Sequence, residues 1–508
     1  MTAMPEGLRT IAVVGAGLMG RGIAQIAAQA GCDVTIFDVK PGAAAQARQA
    51  IAATLSTLAA KRKLTEDEAA RAAARIAIVT ELAEISRADL VIEAIVERLD
   101  AKQALFAELE SIVGRRCILA TNTSSLSVTA IAAACAHPAR VAGLHFFSPV
   151  PLMKLVEVIG GLLTAPEVVE KLLTFGAALG HTAVRARDTP GFIVNHAGRG
   201  YGTEALRILG EGIADVPTID RVLTDGAGFR MGPFALFDLT GLDVSQPVME
   251  SIYHQYYEEP RFRPSPLGAQ RLAAGVLGRK TGRGFYDYGS GGGVPAPPPP
   301  TAASAPAQRV WVSGRDGAAR QRVASLLASL GCEVDPAAVP ASDAVCLVLP
   351  WGSDATTAAL DEGLDPARTV ALDVLPDLAK HRTLMTTPIT RPEVRDAVRA
   401  LFGSDGASVA IIHDSPGFIV QRVLAHIVNV ACDIAQQRIA APADIDLAVR
   451  IGLAYPMGPL AWGDTLGPAR VFGILNELAR AYGDPRYRPS PWLSRRARLG
   501  VSLLTPET

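Results

Sequence analysis

The chain has 508 residues, of which 49% are hydrophobic and 19% charged, and its net charge is −1. It is too long for one domain and apolar enough to bury several cores. Near-neutral charge without a basic stripe speaks against nucleic acid or an anionic membrane as partner, and no apolar run or signal-peptide core is present, so a cytoplasmic protein is expected.

Ile11-Ala-Val-Val-Gly15 reads as a buried strand that enters the turn Gly15-Ala-Gly17-Leu18-Met19-Gly20 and then a helix, roughly Met19 to Ala30. This is the G-x-G-x-x-G spacing. The first glycine permits the tight turn, the second lets backbone approach a pyrophosphate, and the third lets helix and strand pack closely. The helix N-terminus favours negative charge over the loop. The next strand, 33–38, ends in Asp38, at the distance beyond Gly20 where such folds place an acid. A carboxylate there meets a ribose 2′-hydroxyl and repels a 2′-phosphate, which selects NAD over NADP. A purely structural glycine turn is the competing explanation.

Further strands are expected at 90–94, 117–121 and 141–146, separated by helical stretches. That alternation predicts a parallel sheet with helices on both faces. His145 closes the strand Val141-Ala-Gly-Leu-His-Phe146, and the C-terminal ends of such strands are where open α/β sheets bind ligands. Imidazole titrates near neutrality, which suits removal of a hydroxyl proton. Glu157, in the apolar strand Lys154-Leu-Val-Glu-Val-Ile159, would accept the other ring N–H and fix its tautomer. A core histidine and an unrelated ion pair fit the spacing equally well. From about Asp188 the pattern turns helical.

Residues 289–308 are rich in glycine and proline and form a linker. Beyond it the first half repeats. Asp188-Thr-Pro-Gly-Phe-Ile-Val recurs as Asp414-Ser-Pro-Gly-Phe-Ile-Val, and Met231-Gly-Pro233 recurs as Met457-Gly-Pro459 at the same offset. The preceding segment begins Arg309-Val-Trp-Val-Ser-Gly314 but its turn, Gly314-Arg-Asp-Gly-Ala-Ala319, loses two glycine positions. The strand near Glu333 lacks the acid. The expected plan is therefore a Rossmann-type NAD-binding domain (1–189), an all-α domain (190–288), the linker (289–308), a degenerate Rossmann-like domain (309–413) and a second all-α copy (414–508). The six cysteines (32, 117, 135, 332, 346, 432) form no C-x-x-C pair, so neither a disulfide framework nor a metal site is expected.

Gly15-Ala-Gly-Leu-Met-Gly20, Val91-Ile-Glu-Ala-Ile-Val-Glu-Arg98, Asn122-Thr-Ser-Ser125, His145-Phe-Phe-Ser-Pro-Val-Pro-Leu-Met-Lys-Leu-Val-Glu157, Asp188-Thr-Pro-Gly-Phe-Ile-Val-Asn195 and Gly278-Arg-Lys-Thr-Gly-Arg-Gly-Phe-Tyr286 together resemble the L-3-hydroxyacyl-CoA dehydrogenase family. The likeness spans 9–288. The two-copy layout resembles the family's long bacterial form, which oxidises 3-hydroxyadipyl-CoA in phenylacetate breakdown; 3-hydroxybutyryl-CoA dehydrogenases are close relatives. The resemblance implies NAD-dependent oxidation of an acyl-CoA thioester. It implies His145 as base, Glu157 as its partner, and Ser124 and Asn195 on the substrate hydroxyl and thioester. Asp38 would hold the adenosine ribose, Glu97, Lys102 and Lys280 would line the NAD site, and Lys61 would meet the coenzyme A end. Alternatives remain at this point: a helix cap for Ser124, a cap or bridge for Asn195, a solvated charge for Lys61. Ser148 departs from the family's asparagine, and cofactor contact there would run through water.

In the second copy Gln421 replaces Asn195 and no His-Phe-Phe segment precedes it, so one active site per chain is expected. Segment 190–287 is expected to pack on 416–500 as an internal pseudo-dimer, with further homo-oligomerisation open. Arg199, Arg207 and Arg230 are candidates to meet a terminal acyl carboxylate. A free hydroxy acid substrate (the gulonate type) and a non-catalytic acyl-CoA-binding scaffold are the rival readings.

Overall fold

The computed structural model describes residues 2–289, 292–294, 307 and 309–507. Most of the expected linker lies outside the described residues. The chain divides into two compact units. The first runs to His196 and takes in Gln437–Leu453; the second comprises Ala197–Gln436 and Ala454–Glu507.

The first unit is built on β1 (Thr10–Val14), β2 (Asp33–Phe37), β3 (Ile76–Ile78), β4 (Leu90–Glu93), β5 (Ile118–Thr121), β6 (Val141–Phe146), β7 (Leu155–Gly160) and β8 (Thr182–Arg187). Their order across the sheet is β3-β2-β1-β4-β5-β6-β7-β8. β4, β5 and β6 are buried at every residue, as strands covered on both faces must be. The five strands read from the sequence are present within a residue at each end. β3 escapes such a reading because so short a strand shows no period. β8 alternates buried Val184 and Ala186 with exposed Arg185 and Arg187, and was masked by its charge.

The sheet is mixed rather than parallel. β6 and β7 are antiparallel, with His145 directly opposite Glu157. Only residues 147–154 join them, too few for the crossover a parallel neighbour needs.

The helix Pro442–Gly452 comes from the second half of the sequence yet sits in this first unit, against β7 and β8. The carbonyl of Ile439, just before it, accepts the N–H of Arg187 at 2.9 Å.

In the second unit β9 (Arg309–Val312), β10 (Glu333–Asp335), β11 (Val345–Val348), β12 (Thr369–Leu372), β13 (His381–Thr386) and β14 (Ser408–Ile412) form a sheet in the order β10-β9-β11-β12-β13-β14. The offset that relates Asp188 to Asp414 also maps β7 onto β13 and β8 onto β14. β12 and β13 are antiparallel, as β6 and β7 are. The amide of Gln421 donates to the carbonyl of Pro350, as that of Asn195 donates to Ser124, and both pairs keep the repeat offset. β11 therefore stands for β5, and β9 pairs with it directly. Residues 38–117 separate β2 from β5, whereas only 336–344 separate β10 from β11. Nothing in the second sheet, among the described residues, stands for β3 or β4. More than glycines has been lost there: the strand that carries Glu93 and leads to Glu97 is gone.

The helices of this unit pack closely. A Cβ on Gly200 would lie 2.9 Å from the Cα of Ile427, so Arg199–Gly210 and Val420–Gln436 meet backbone to backbone. Beside that contact the fully buried Glu204 accepts from Arg422 Nε at 2.5 Å and from Tyr487 at 2.6 Å. Burial disfavours the Glu204 charge, but Arg422 and Arg486 outweigh it and hold the carboxyl well below the usual range. Among the described residues no helix is long and apolar enough to cross a membrane.

Candidate active site

The glycine turn lies between β1 and the helix Leu18–Gln29. Gly15 has φ +105°, and a Cβ there would lie 2.5 Å from the Ala94 carbonyl oxygen; only glycine fits. A Cβ on Gly20 would overlap the carbonyl oxygen of Gly15. One on Gly17 would meet no atom within 4 Å, so the loop offers open room above its middle glycine. Asp38 follows β2 and reaches back to the turn, accepting from Ala16 N at 2.7 Å and from Lys40 N at 2.8 Å. Gly15, Gly17 and Asp38 border a cleft of about 820 Å³, lined further by Phe37, Val39, Ile95 and Val96.

The fit to a dinucleotide can be judged from the helix start. Gly17 caps the helix Leu18–Gln29 without a side chain, which leaves the helix N-terminus to an outside anion. The second half closes that option. There Asp316 caps the helix Gly317–Ser329 with its own carboxylate, accepting from Ala319 N and from the indole of Trp351. Ladder register equates Asp33 with Glu333 by way of their partners Thr10 and Arg309, which puts Ala338 where Asp38 stands. The first half fits NAD; the second does not.

Past β4 the chain builds a polar cluster. Glu93, fully buried, accepts from Lys102 Nζ at 2.6 Å and from Thr121 Oγ1 at 2.7 Å. Lys102 also lies 3.3 Å from Glu97. Glu97 Oε1 gathers the hydroxyl of Thr123 at 2.7 Å, the amide of Ser124 at 2.8 Å and the hydroxyl of Ser125 at 3.0 Å. Burial raises the Glu97 pKa, but Lys102 and these hydrogen bonds more than reverse it. Lys102 is thus a buried post beneath Glu97 rather than an exposed lining residue. Ser124 is no helix cap. Ser127 caps the helix Val128–Ala132, and Asp188 steadies that start by accepting from Ser127 Oγ, Val128 N and Thr129 N.

His145 Nδ1 and Glu157 Oε2 are 2.7 Å apart. The other oxygen of Glu157 accepts from the amides of Ile193 at 3.0 Å and Val194 at 2.9 Å. Glu157 is wholly buried and His145 nearly so. Two backbone donors on one oxygen hold the carboxylate aimed at the imidazole with the other. The amides point there because Gly191 and Phe192 take positive φ, +77° and +49°, and turn the chain sharply before Val194. Rings of Phe147 and Phe192 lie 4.4 and 5.8 Å from the imidazole. His145 Nε2 has no hydrogen-bond partner among the described residues.

Asn195 follows this turn, and its amide donates to the carbonyl of Ser124 at 3.3 Å. Asn122 ties the same loop to β6 by accepting from Phe146 N at 2.8 Å. His145, Glu157, Ser124 and Asn195 are therefore knit into one cluster at the ends of β5 and β6. Glu93, Asn122, Ile193 and Val194 belong to its frame and were not singled out in the sequence. A glutamate inside an apolar strand was the available signal for Glu93.

Ser148 is exposed beyond β6. Lys61 caps the helix Ala43–Ala60 at its C-terminus and is exposed; the hollow beside it is lined by Arg62 and Lys63 instead. Lys280 is in the second unit, where Asp243 takes its ammonium at 2.6 Å, and it is not among the residues lining the cleft. Of the three arginines, Arg207 is engaged by Glu211 and Asp484, Arg230 is exposed and Arg199 is half-buried.

The positions matching the catalytic pair in the second unit hold Asp373 and Thr383, whose backbones bond across β12 and β13. Thr383 stands where the repeat offset carries Glu157. Gln421 donates to Asp373 at 2.9 Å. Burial pushes the Asp373 carboxyl up to about 6. The residues of this copy replace the imidazole and its carboxylate with a sealed amide–acid contact.

Residues 10–189 match the family described as 3-hydroxyacyl-CoA dehydrogenase, NAD binding domain. Residues 191–288 and again 417–502 match 3-hydroxyacyl-CoA dehydrogenase, C-terminal domain. The chain is 40% identical to the 3-hydroxyadipyl-CoA dehydrogenase of Escherichia coli K12, over 97% of this chain and 98% of that protein. It is 44% identical to the probable 3-hydroxybutyryl-CoA dehydrogenase of Bacillus subtilis 168, over 55% of this chain and 98% of the relative. The crystal structure of 3-hydroxybutyryl-CoA dehydrogenase from E. coli K12 is similar with a TM-score of 0.84 and 38% identity, covering 97% of this chain and 98% of that one.

Proposed function

Because the chain belongs to the 3-hydroxyacyl-CoA dehydrogenase family, we propose that its first half oxidises the C3 hydroxyl of an L-3-hydroxyacyl-CoA to the ketone with NAD, and that His145, Glu157, Ser124 and Asn195 do the work. The observation that carries this reading is the hydrogen bond from His145 to a Glu157 already saturated by two amides.

NAD, when bound, accepts the hydride from C3. Gly15, Gly17, Leu18, Met19 and Gly20 would hold its pyrophosphate at the uncapped helix, and Asp38 would hold the ribose. His145 Nε2 takes the hydroxyl proton while the C–H electron pair departs and the O–H electrons become the second C–O bond. Glu157 keeps Nδ1 protonated, so Nε2 stays available as the base, and then stabilises the imidazolium. Base catalysis of this kind contributes on the order of 10²–10⁴ in rate. Ser124 and Asn195 position the hydroxyl and thioester oxygens. Glu97 sets the loop that carries Ser124, and Lys102 sets Glu97. Lys61 is assigned to the coenzyme A end and Ser148 to the cofactor.

The substrate is 3-hydroxyadipyl-CoA or 3-hydroxybutyryl-CoA, a choice supported by the names of the similar proteins. The second half is a non-catalytic copy whose helical part pairs with that of the first as an internal pseudo-dimer. The contact at Gly200 and Ile427 and the Glu204–Arg422 pair support this. The protein works in the cytoplasm.

The test is NADH formation from the two thioesters and from free 3-hydroxy acids, with NAD and NADP, in the wild type and in His145→Gln. Thioester oxidation that falls about a thousandfold in the variant, with NADH binding kept, is expected. Near-normal turnover in His145→Gln, or activity on free acids alone, refutes the assignment.

A further inference from the structure

The helix Pro442–Gly452 meets the catalytic frame at its C-terminal end. Its last residue has no side chain. A Cβ on Gly452 would lie 2.9 Å from one methyl of Val194 and 3.0 Å from the other, and 3.0 Å from a methyl of Leu155. Both neighbours lead to Glu157. Leu155 opens β7, two positions ahead of Glu157 on the same face. Val194 supplies one of the two amides that hold the carboxylate. From Gly452 to the imidazole is thus a path of three contacts: Gly452 on Val194, Val194 N–H to Glu157, Glu157 to His145.

We propose that Gly452 is a positioning residue for the His145–Glu157 pair, so that the second half of the chain takes part in the first half's reaction by seating the Val194 amide against the carboxylate. The proposal rests on the dehydrogenase reading given above. Three further observations support it. The helix is anchored to the neighbouring strand by the Arg187–Ile439 hydrogen bond at 2.9 Å, so it cannot slide along the sheet without breaking that bond. Its Asp444 is half-buried, and the charge of Arg185 on β8 offsets part of the cost of burying that carboxylate. Glycine here gives close approach alone, since Gly452 has an ordinary helical backbone with no positive φ.

The molecule contains its own comparison. Gly226, which the repeat offset pairs with Gly452, meets His381 and Val420, the counterparts of Leu155 and Val194. A Cβ there would lie 3.4 and 3.5 Å from them, clearly farther than the contacts at Gly452. Behind that looser contact stands Thr383 in place of Glu157. The same device has been kept tight where it backs a carboxylate and relaxed where it does not.

Gly452→Ala forces Val194, Leu155 or the helix to give by a few tenths of an ångström. A displacement near 1 Å of a reacting group lowers rate about a hundredfold, so about tenfold is expected here. The expected result is a tenfold lower kcat with KM for the thioester and the Kd for NADH within twofold of wild type. Val194→Ala combined with Gly452→Ala removes the crowding and returns kcat to within threefold. Gly226→Ala leaves kcat within twofold. If Gly452→Ala does not accumulate, Val194→Ala alone, which loosens the same contact, is expected to lower kcat several-fold with KM kept. The proton on His145 Nδ1, followed by NMR and assigned by its loss in His145→Gln, shifts in Gly452→Ala and stays in Gly226→Ala. That signal reports the geometry whether or not thioesters are the substrate, so a failed activity reading and a failed positioning role are told apart. Wild-type kcat and an unmoved proton in Gly452→Ala, or an equal loss in Gly226→Ala, overturns the proposal.

Discussion

Replacing Glu157 with glutamine changes one atom and is expected to disable the base. One carboxylate oxygen takes two backbone N–H groups, from Ile193 and Val194, at 3.0 and 2.9 Å. An amide must keep its oxygen on that side, because its NH₂ would otherwise face two buried donors. The NH₂ then faces His145 Nδ1, 2.7 Å away from the present oxygen. Nδ1 has to become an acceptor, so the ring proton moves to Nε2, and the nitrogen meant to receive the substrate proton is already occupied. Flipping the amide to recover the productive tautomer strands two buried N–H groups at about 1–3 kcal/mol each, roughly 2–6 kcal/mol in all. At about 1.36 kcal/mol per tenfold, kcat falls by roughly 30-fold to 10⁴-fold. The assay is steady-state NADH formation at saturating NAD and thioester, with NADH binding measured separately and expected to be unchanged. A Glu157→Gln enzyme within threefold of wild-type kcat would mean the imidazole is not oriented by this carboxylate.

Asp38→Ala should raise KM for NAD about tenfold, leave the thioester KM alone and narrow the preference over NADP; kcat/KM for the two cofactors decides, and equal losses for NAD and thioester would remove the ribose role. Glu204→Gln breaks a buried ion pair and should lower stability by about 3–5 kcal/mol at neutral pH. Because the folded Glu204 pKa is depressed, its contribution is present above about pH 4.3 and is lost as pH falls below that toward the folded value. Urea unfolding at several pH values should therefore show a gap between wild type and variant that shrinks in acid, and a gap constant from pH 7 to pH 3 contradicts the charge argument.

Much of the site was legible because its signals are local. Glycines 15, 17 and 20 and Asp38 occupy one strand–turn–helix–strand unit, and each answers to a steric or electrostatic need visible in sequence. The His145–Glu157 pair was legible as two apolar strands with one titratable residue apiece. Their opposition depended on an antiparallel turn the alternation rule did not foresee. What stayed hidden is what acts across long sequence distances. The amides of Ile193 and Val194 carry no side-chain signature. Lys102 reads as one more helix lysine until Glu93 is seen beneath it. Gly452 lies more than half the chain beyond Glu157, and no periodicity links them. The missing counterpart of β4 was equally silent, because a deletion leaves no residue to read; only the sheet order reveals it.

The docking of Pro442–Gly452 on β7 also bears on how activity responds to dilution. A support supplied by a separate subunit is governed by a dissociation constant and fades at low protein concentration. Here it is tethered, and a covalent link of this kind provides an effective concentration in the millimolar range for flexible connections. Specific activity per chain should then stay constant down to nanomolar enzyme, far below the point at which a weak subunit contact would come apart.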